Sequence, residues 1–223
     1  MEFTHFGYGR FSAYMNMALD EVMLNRAESD KLSSIRFYDF ERPCVILAST
    51  EAIDDINLEN CKAAGFDITR RLSNGSVILC NDGVLAYSVA LPTGNVVSGP
   101  SAAHEYIGRR IARMLKEAGI ENVSIGEYYS IRISGRPVAG HGQRYRMGRC
   151  ILYHGVMAVD PWNTDGVNDV INLRPAPKQG MKSEYNLIDE LPAVRQYINT
   201  DKEALAEMIL ESVTDGKYHD ENI

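Results

Sequence analysis

The chain has 223 residues, of which 45% are hydrophobic and 24% charged, so it can bury a full core and is not disordered, fibrous or built around disulfides. Its net charge of −7 argues against a nucleic-acid-binding protein, because such proteins carry a basic surplus. No apolar run approaches the roughly 20 residues that span a bilayer, and the first residues lack a signal-peptide pattern, so we expect a cytoplasmic protein with no membrane partner.

The first half of the chain is predicted to combine one long helix with short strands. Apolar residues at helical spacing, among them Leu19 and Met23, predict a helix over about residues 13–27. Apolar runs between turn residues then predict strands over Ile35–Tyr38 and Cys44–Leu47, a short helix over Leu58–Ala64 ended by Gly65, and strands over Asp67–Arg71, Val77–Leu79 and Leu85–Ala90.

The second half is predicted to begin with a long helix and to end with another. The predicted elements are a helix over about residues 101–118, strands within residues 122–159 that include Tyr129–Ile133 and Ile151–Val159, and a Pro-rich loop with short helical turns over residues 161–195. A last helix begins at Thr200, where Thr200 and Glu203 have the spacing of a capping box.

This succession of elements predicts an α+β fold. Runs of strands between scattered helices favour a mixed, mostly antiparallel sheet flanked by helices. We expect one main domain over residues 1–195, followed by a C-terminal helix and tail over residues 196–223 without a full accessory domain.

The first functional signal lies where one predicted strand ends and the next begins. Arg70 and Arg71 precede a turn of small residues, Ser73-Asn74-Gly75-Ser76. Small residues let a backbone approach a ligand, and guanidinium groups can neutralise a phosphate or a carboxylate. The residues alone leave open an ordinary hairpin with solvated arginines.

Residues 70–88 resemble, without a gap, the signature of lipoate–protein ligases, R-R-x-S-G-G-G-A-V-x-H-D-x-G-N-L-N-Y-S. The matching residues are Arg70, Arg71, Ser73, Gly75, Gly83, Leu85, Tyr87 and Ser88. Other segments are similar to the family in order and spacing: Asn16 to Glu21, Arg36 to Tyr38, Gly135 to Gln143, Tyr153-His154-Gly155, and Lys182-Ser183 with Ile188 and Leu191. The resemblance covers about residues 12–192.

The resemblance implies the biotin/lipoate protein ligase catalytic-domain fold, with an apolar tunnel for an acyl tail. Members of the family activate lipoate with ATP and Mg as an acyl-adenylate, and related octanoyltransferases use an acyl carrier protein and a cysteine thioester. Both deliver the acyl group to a lysine of a lipoyl carrier domain, of the dehydrogenase E2 or glycine-cleavage H type. Lipoate or octanoate is therefore the expected ligand, and a separate accessory subunit is a conceivable partner. A biotin ligase shares the fold, but the matched motifs are those of the lipoate branch.

The resemblance also implies roles for individual positions. The predicted substrate-binding residues are Arg71, Ser73, Gly75, Ser76, Val77, Val138, Gly140, His141, Gly142, His154 and Gly155. The predicted nucleotide-binding residues are Arg70, Asn81 and Arg136, and no metal ligands are predicted. The alternatives are a tight turn for each glycine and a structural role for His154.

Several positions depart from the family. The lysine of its G-x-K motif, which holds the acyl carbonyl and the phosphate, is replaced by Pro137, which has neither a charge nor a donor N–H. The His-Asp pair of the signature is Cys80-Asn81 here, which removes a carboxylate expected near the nucleotide or its metal. These changes argue against ordinary ATP-driven ligation and leave the catalytic residue unassigned.

Cys80 is a candidate nucleophile, since a thiolate attacks acyl groups when a neighbour activates it. It does not lie in the loop near Ser124–Tyr128, where the transferase cysteine of the family is expected. Two hypotheses follow. The chain is a ligase or a lipoyl/octanoyl transferase, or it is a catalytically impaired relative that binds an acyl group or a carrier domain and assists a partner.

Overall fold

The structure, a computed structural model, describes residues 1–94, 99, 101–161, 170 and 192–222. Most of the predicted loop over residues 161–195 lies outside the described residues. The same holds for the late family segment with Lys182, Ser183, Ile188 and Leu191. Among the described residues, no helix has both the length and the apolar character that crossing a membrane requires.

In the described part of the chain, eleven strands form two sheets. In chain order they are β1 Phe3–Phe11, β2 Ser34–Phe40, β3 Cys44–Leu47, β4 Asp67–Arg70, β5 Ile78–Cys80, β6 Val84–Pro92, β7 Val123–Ile125, β8 Ile131–Ile133, β9 Arg136–Arg146, β10 Cys150–Ala158 and β11 Tyr218–Asp220. The large sheet has eight strands in the order β11-β1-β2-β6-β10-β9-β8-β7, and the small sheet has the order β4-β3-β5. Only the pairs β1–β2, β1–β11 and β3–β4 are parallel within these two sheets. The prediction of a mixed, mostly antiparallel sheet is confirmed.

Helices pack on both faces of the large sheet. They are α1 Ala13–Ser29, α2 Leu58–Ala63, α3 Arg109–Glu117, which continues a π-helical turn over His104–Gly108, and α4 Lys202–Thr214. The main core lies between one face of the large sheet and the apolar sides of α3 and α4. The opposite face packs against α1 and the small sheet in two smaller clusters.

Local sequence signals explain several helix boundaries. The Ser12 hydroxyl accepts a hydrogen bond from the Met15 N–H and begins α1. Gly65, two residues after α2, has φ +74°, a conformation that glycine adopts without steric cost. The predicted cap of the last helix is off by one residue, because the side chain of Asp201, not of Thr200, accepts from the Ala204 N–H.

Two strand predictions need correction. The predicted strand Tyr129–Ile133 begins only at Ile131, because Tyr128 and Tyr129 have φ of 52° and 60° and form a tight turn. The strands β1 and β11 were not predicted; β11 is an edge strand of the large sheet, and it pairs with β1, which lies near the other end of the sequence.

Candidate functional site

A narrow apolar cavity lies between the large sheet, α1 and the small sheet. Its apolar walls are Met17, Tyr38, Phe40, Ile46, Ile78 and Val156, and its polar lining includes Arg71 and His154. The cavity volume is about 20 Å³, which is room for roughly one water molecule. A medium-length acyl chain would therefore have to displace wall side chains to enter.

A chain of hydrogen bonds runs along this cavity from Ser73 to Asp20. The Ser73 Oγ lies 2.6 Å from the His154 Nε2, and the His154 Nδ1 lies 2.7 Å from the Asp20 Oδ2. All three side chains are buried. Because a carboxylate can only accept hydrogen bonds, the His154 Nδ1–H donates to Asp20, and in the tautomer with its single proton on Nδ1 the Nε2 can accept from the serine hydroxyl.

Asp20 is held as a carboxylate. Burial alone would raise the pKa of Asp20, but the adjacent Arg36 and the hydrogen bonds from His154 and Ser88 lower that pKa below its usual range. The Arg36 Nη2 lies 2.7 Å from the Asp20 Oδ1, and the Ser88 hydroxyl donates to the same oxygen at 2.6 Å. Arg36 also donates to the Asn16 Oδ1 and lies 3.9 Å from the centre of the Tyr38 ring.

Arg71 organises the turn of small residues. Its Nε donates to the Ser73 Oγ at 2.9 Å, and its Nη2 donates to the carbonyls of Asn74 and Ser76 at 3.2 and 2.8 Å. Gly75 has φ +124°, and a Cβ there would lie 2.8 Å from the Arg71 Nη2. The turn thus wraps around a buried guanidinium group and places its positive charge beside the Ser73 hydroxyl.

The turn contacts β9 at a glycine. A Cβ on Gly142 would lie 2.6 Å from the Ser73 Oγ and 3.3 Å from the His154 Nε2, so only glycine allows this approach. Gly142 is paired with His154 on β10, and Gly140, two residues earlier on the same face, has nothing within 4 Å of its Cβ position. The structure therefore brings the arginine turn and Gly142 of β9 together beside His154, which lines the cavity.

Other predicted substrate-binding residues lie elsewhere. Gly155 lines the cavity, whereas Val77 packs on the cluster behind the small sheet and Val138 packs in the main core. His141 faces the side of the large sheet opposite to His154. There it stacks on Tyr153 at 5.0 Å between ring centres.

His141 belongs to a group of packed rings that also includes Tyr153, His104 and the half-exposed Tyr129. Its Nε2 is hydrogen-bonded to the Tyr87 hydroxyl, its Nδ1 lies 3.2 Å from the Tyr129 carbonyl, and His104 stacks on Tyr129 at 4.3 Å. Burial lowers the pKa of His104 to about 4 and that of His141 to about 3, so both rings are neutral near pH 7.

The three predicted nucleotide-binding residues contact three different parts of the fold. Arg70 donates to the carbonyls of Ala48 and Glu51. The Asn81 Oδ1 accepts from the Gly83 N–H at 2.8 Å and closes the turn before β6. Arg136 is exposed at the start of β9. Among the described residues, no group of three His, Cys, Asp or Glu side chains is placed to hold a metal ion.

Cys80 lies in the core and directly opposite Cys44 on β3. A hydrogen bond with Cys80 and burial raise the pKa of the Cys44 thiol. All four cysteines are free and buried.

The segments that build this site lie within a longer stretch of sequence that matches a known family. Residues 12–214 match the family model described as the lipoyl protein ligase A/B catalytic domain. The chain belongs to this family. The predicted family and the predicted catalytic-domain fold are confirmed.

Several relatives are octanoyltransferases. The octanoyltransferase LipM of Clostridioides difficile is 27% identical over 172 residues, which are 67% of this chain and 63% of that protein. The octanoyltransferase LipM of Staphylococcus epidermidis is 27% identical over 221 residues, which are 86% of this chain and 77% of that protein. The chain thus spans less than two thirds of the C. difficile relative.

Solved structures show the same fold. Lipoate–protein ligase A bound with ATP superposes with a TM-score of 0.84 at 15% identity, covering 100% of this chain and 90% of that chain. A putative lipoate protein ligase from Thermoplasma acidophilum with bound lipoic acid has a TM-score of 0.81 at 15% identity, with the same coverage.

Sequence reasoning assigned no role to several residues of the hydrogen-bonded chain. Asp20, Arg36 and Ser88 all lie in segments that match the family, but nothing in their spacing shows that they meet. Asp20 is a charged residue between apolar positions of α1, and its side chain is nevertheless buried. The signal that could have found Asp20 is the resemblance of its segment, Asn16 to Glu21, to the family.

Proposed function

We propose that the protein transfers an octanoyl or lipoyl group to a lysine of a lipoyl carrier domain, and that the donor is an acyl thioester. The observation that carries this proposal is the cluster of Arg71, Ser73 and His154 at one end of an apolar cavity. An apolar slot suits the acyl tail, and the cluster supplies a cation, a hydroxyl and a proton acceptor at the end where a carbonyl would sit. The names of the relatives, which are octanoyltransferases, support transfer of an octanoyl group.

The residues present do not fit ATP and Mg as the activating group. The family aspartate that a metal or nucleotide would need is Asn81, and its amide oxygen is engaged by the Gly83 N–H. The family lysine is Pro137 on β9, and the neighbouring Arg136 is exposed. We therefore derive no adenylation step.

The residues of the cavity can support the acyl transfer itself. The apolar walls exclude water from the acyl chain, and His154 can hold a proton at Nε2 because Asp20 fixes the other ring nitrogen as a donor. Arg71 provides a positive charge near the position where negative charge develops on the acyl oxygen.

A transfer assay tests the proposal. Purified protein is mixed with an octanoyl acyl carrier protein and an apo carrier domain, and the carrier domain is weighed by mass spectrometry; a carrier domain with its acceptor lysine replaced by arginine is the control. A parallel reaction contains free lipoate with ATP and Mg. We expect modification of the lysine only from the thioester. Modification only in the ATP reaction would refute the thioester donor.

The second candidate function is a catalytically impaired relative, which is favoured by Pro137 at the lysine position. Such a protein would bind an octanoyl or lipoyl group without transferring it and would act with a partner. Binding without transfer in the same assay supports this candidate. Pro137→Lys then shows whether one substitution restores ATP-driven ligation.

Acceptors and partners are part of the proposal. We propose carrier domains of the dehydrogenase E2 or glycine-cleavage H type as acceptors. We also propose a separate accessory chain as a partner. One solved neighbour, from Thermoplasma acidophilum, is described as a bi-partite lipoate protein ligase.

A further inference from the structure

We propose that the Ser73 hydroxyl is the nucleophile of this protein, and that it carries the acyl group as an oxygen ester between donor and acceptor. The inference rests on the proposed acyl transfer and specifies its covalent intermediate. It is carried by the linear arrangement of Ser73, His154 and Asp20, three side chains of different elements that are separated by 81 and 134 positions in sequence.

The direction of each hydrogen bond is the one that nucleophilic attack requires. The Asp20 carboxylate accepts from the His154 Nδ1–H, so a ring with its single proton on Nδ1 presents the lone pair of Nε2 to Ser73. The Ser73 hydroxyl must then donate to Nε2, and its oxygen accepts from the Arg71 Nε at 2.9 Å. A base on one side and a guanidinium group on the other both favour removal of the serine proton.

The surroundings keep this arrangement in place. Asp20 is anchored by Arg36 and Ser88, and Gly142 gives the serine oxygen the space that any other residue would fill. His154 lines the apolar cavity and its Nε2 lies 2.6 Å from the Ser73 Oγ, so an acyl carbonyl that reaches His154 also comes close to the serine oxygen. Asp20 acts through His154 and is a positioning residue.

The cysteines lack such an environment. Burial raises the pKa of the Cys61 and Cys150 thiols, and a hydrogen bond to Cys80 together with burial raises the pKa of Cys44. Cys80 itself is packed within an apolar cluster. A protonated thiol is a poor nucleophile.

The reaction has two balanced steps. The Ser73 oxygen attacks the thioester carbonyl, the C–O bond forms and the C–S bond breaks, while the serine proton passes through the His154 Nε2 to the leaving thiolate. The neutral amine of the carrier lysine then attacks the ester, the C–N bond forms and the C–O bond breaks, and a proton from the amine returns through His154 to the Ser73 oxygen. The net change is thioester plus amine to amide plus thiol.

The test traps the intermediate. Wild-type protein is mixed with octanoyl acyl carrier protein without the carrier domain, quenched in acid and weighed intact, and the modified peptide is sequenced by mass spectrometry. We expect one octanoyl group on Ser73 that survives neutral hydroxylamine and is released by alkaline hydroxylamine, as an oxygen ester is. Ser73→Ala should show no adduct, and its transfer to the carrier domain should fall by at least about 10³-fold.

Two further variants separate a nucleophile from a structural residue. Cys80→Ala, the matched control, should form the same ester as the wild-type protein. Ser73→Cys keeps a nucleophile in place, so its adduct should become sensitive to neutral hydroxylamine, which cleaves thioesters. Loss of a merely structural hydroxyl would not change the chemical lability of an adduct.

The outcomes distinguish this inference from the proposed function. An adduct on another residue, near wild-type transfer by Ser73→Ala, or transfer by the wild-type protein without an ester on Ser73 would overturn the nucleophile and leave acyl transfer standing. A wild-type protein that forms no adduct and modifies no carrier domain would overturn both. If Ser73→Ala fails to fold, the lability of the Ser73→Cys adduct decides the question.

Discussion

Replacing Gly142 by alanine tests the contact between the arginine turn and β9. A Cβ at this position would lie 2.6 Å from the Ser73 Oγ and 3.3 Å from the His154 Nε2, both closer than side-chain atoms tolerate without a shift. The neighbours belong to a turn tied to Arg71 and to a central strand, so the strain is relieved by separating Ser73 from His154. That separation leaves buried polar atoms without their partner.

The magnitude follows from these contacts. Breaking a buried hydrogen bond with loss of its partner costs about 1–3 kcal/mol, and overpacking costs a similar amount. Gly140→Ala is the matched control, since it lies on the same strand and face, and its Cβ meets nothing within 4 Å. Both variants gain the same intrinsic preference of alanine over glycine, about 0.5–1 kcal/mol, so their difference isolates the contact.

The assay is urea unfolding followed by circular dichroism, together with octanoyl transfer. We expect the free energy of unfolding of Gly142→Ala to lie about 2 kcal/mol or more below that of Gly140→Ala. We also expect transfer to fall in Gly142→Ala alone. Equal stability and equal transfer in the two variants would refute the close approach of Ser73 and its hydrogen bond to His154.

Three further predictions concern buried charges, rings and thiols. Asp20→Asn should lower the free energy of unfolding by about 3–5 kcal/mol, because it leaves Arg36 charged in the interior. The folded state lowers the pKa of Asp20, so the contribution of Asp20 to the free energy of unfolding is complete above its unfolded pKa of about 3.9. This contribution is lost as the pH falls through the folded pKa. The stabilities of wild type and variant should therefore converge in acid. The folded state also lowers the pKa of His104 and His141, so the free energy of unfolding should fall as the pH drops from about 6.5 towards 4. In the variant with phenylalanine at both positions, the free energy measured by urea unfolding should depend less on pH over this range. The four buried cysteines should react with a thiol reagent only after unfolding, and rapid labelling of the native protein would contradict their burial.

The sequence alone located the elements whose signals are local. The helix of α1, the strands β2 and β3, the short helix α2 with Gly65 and the turn of Ser73 to Ser76 all follow from apolar spacing and turn residues. The family match added the fold and the residues of the arginine turn, because that segment is continuous along the chain.

Tertiary structure decided what no local pattern contains. β1 and β11 lie near opposite ends of the sequence and form a parallel pair. A strand whose partner is so distant cannot be recognised from a short segment of sequence. On β9 and β10 the alternation of faces separates His141 from His154, which a motif written as letters does not show.

The chain of Ser73, His154 and Asp20 is the clearest case. Each residue is ordinary in its own segment, a turn serine, a strand histidine and a helix aspartate. Their chemistry arises only when α1, β10 and the arginine turn pack together, because hydrogen bonds of 2.6 and 2.7 Å depend on the relative positions of three elements. The sequence by itself determined which residue types were present and which family they belong to. Folding decided which of them touch, because contacts between distant residues depend on packing and not on spacing.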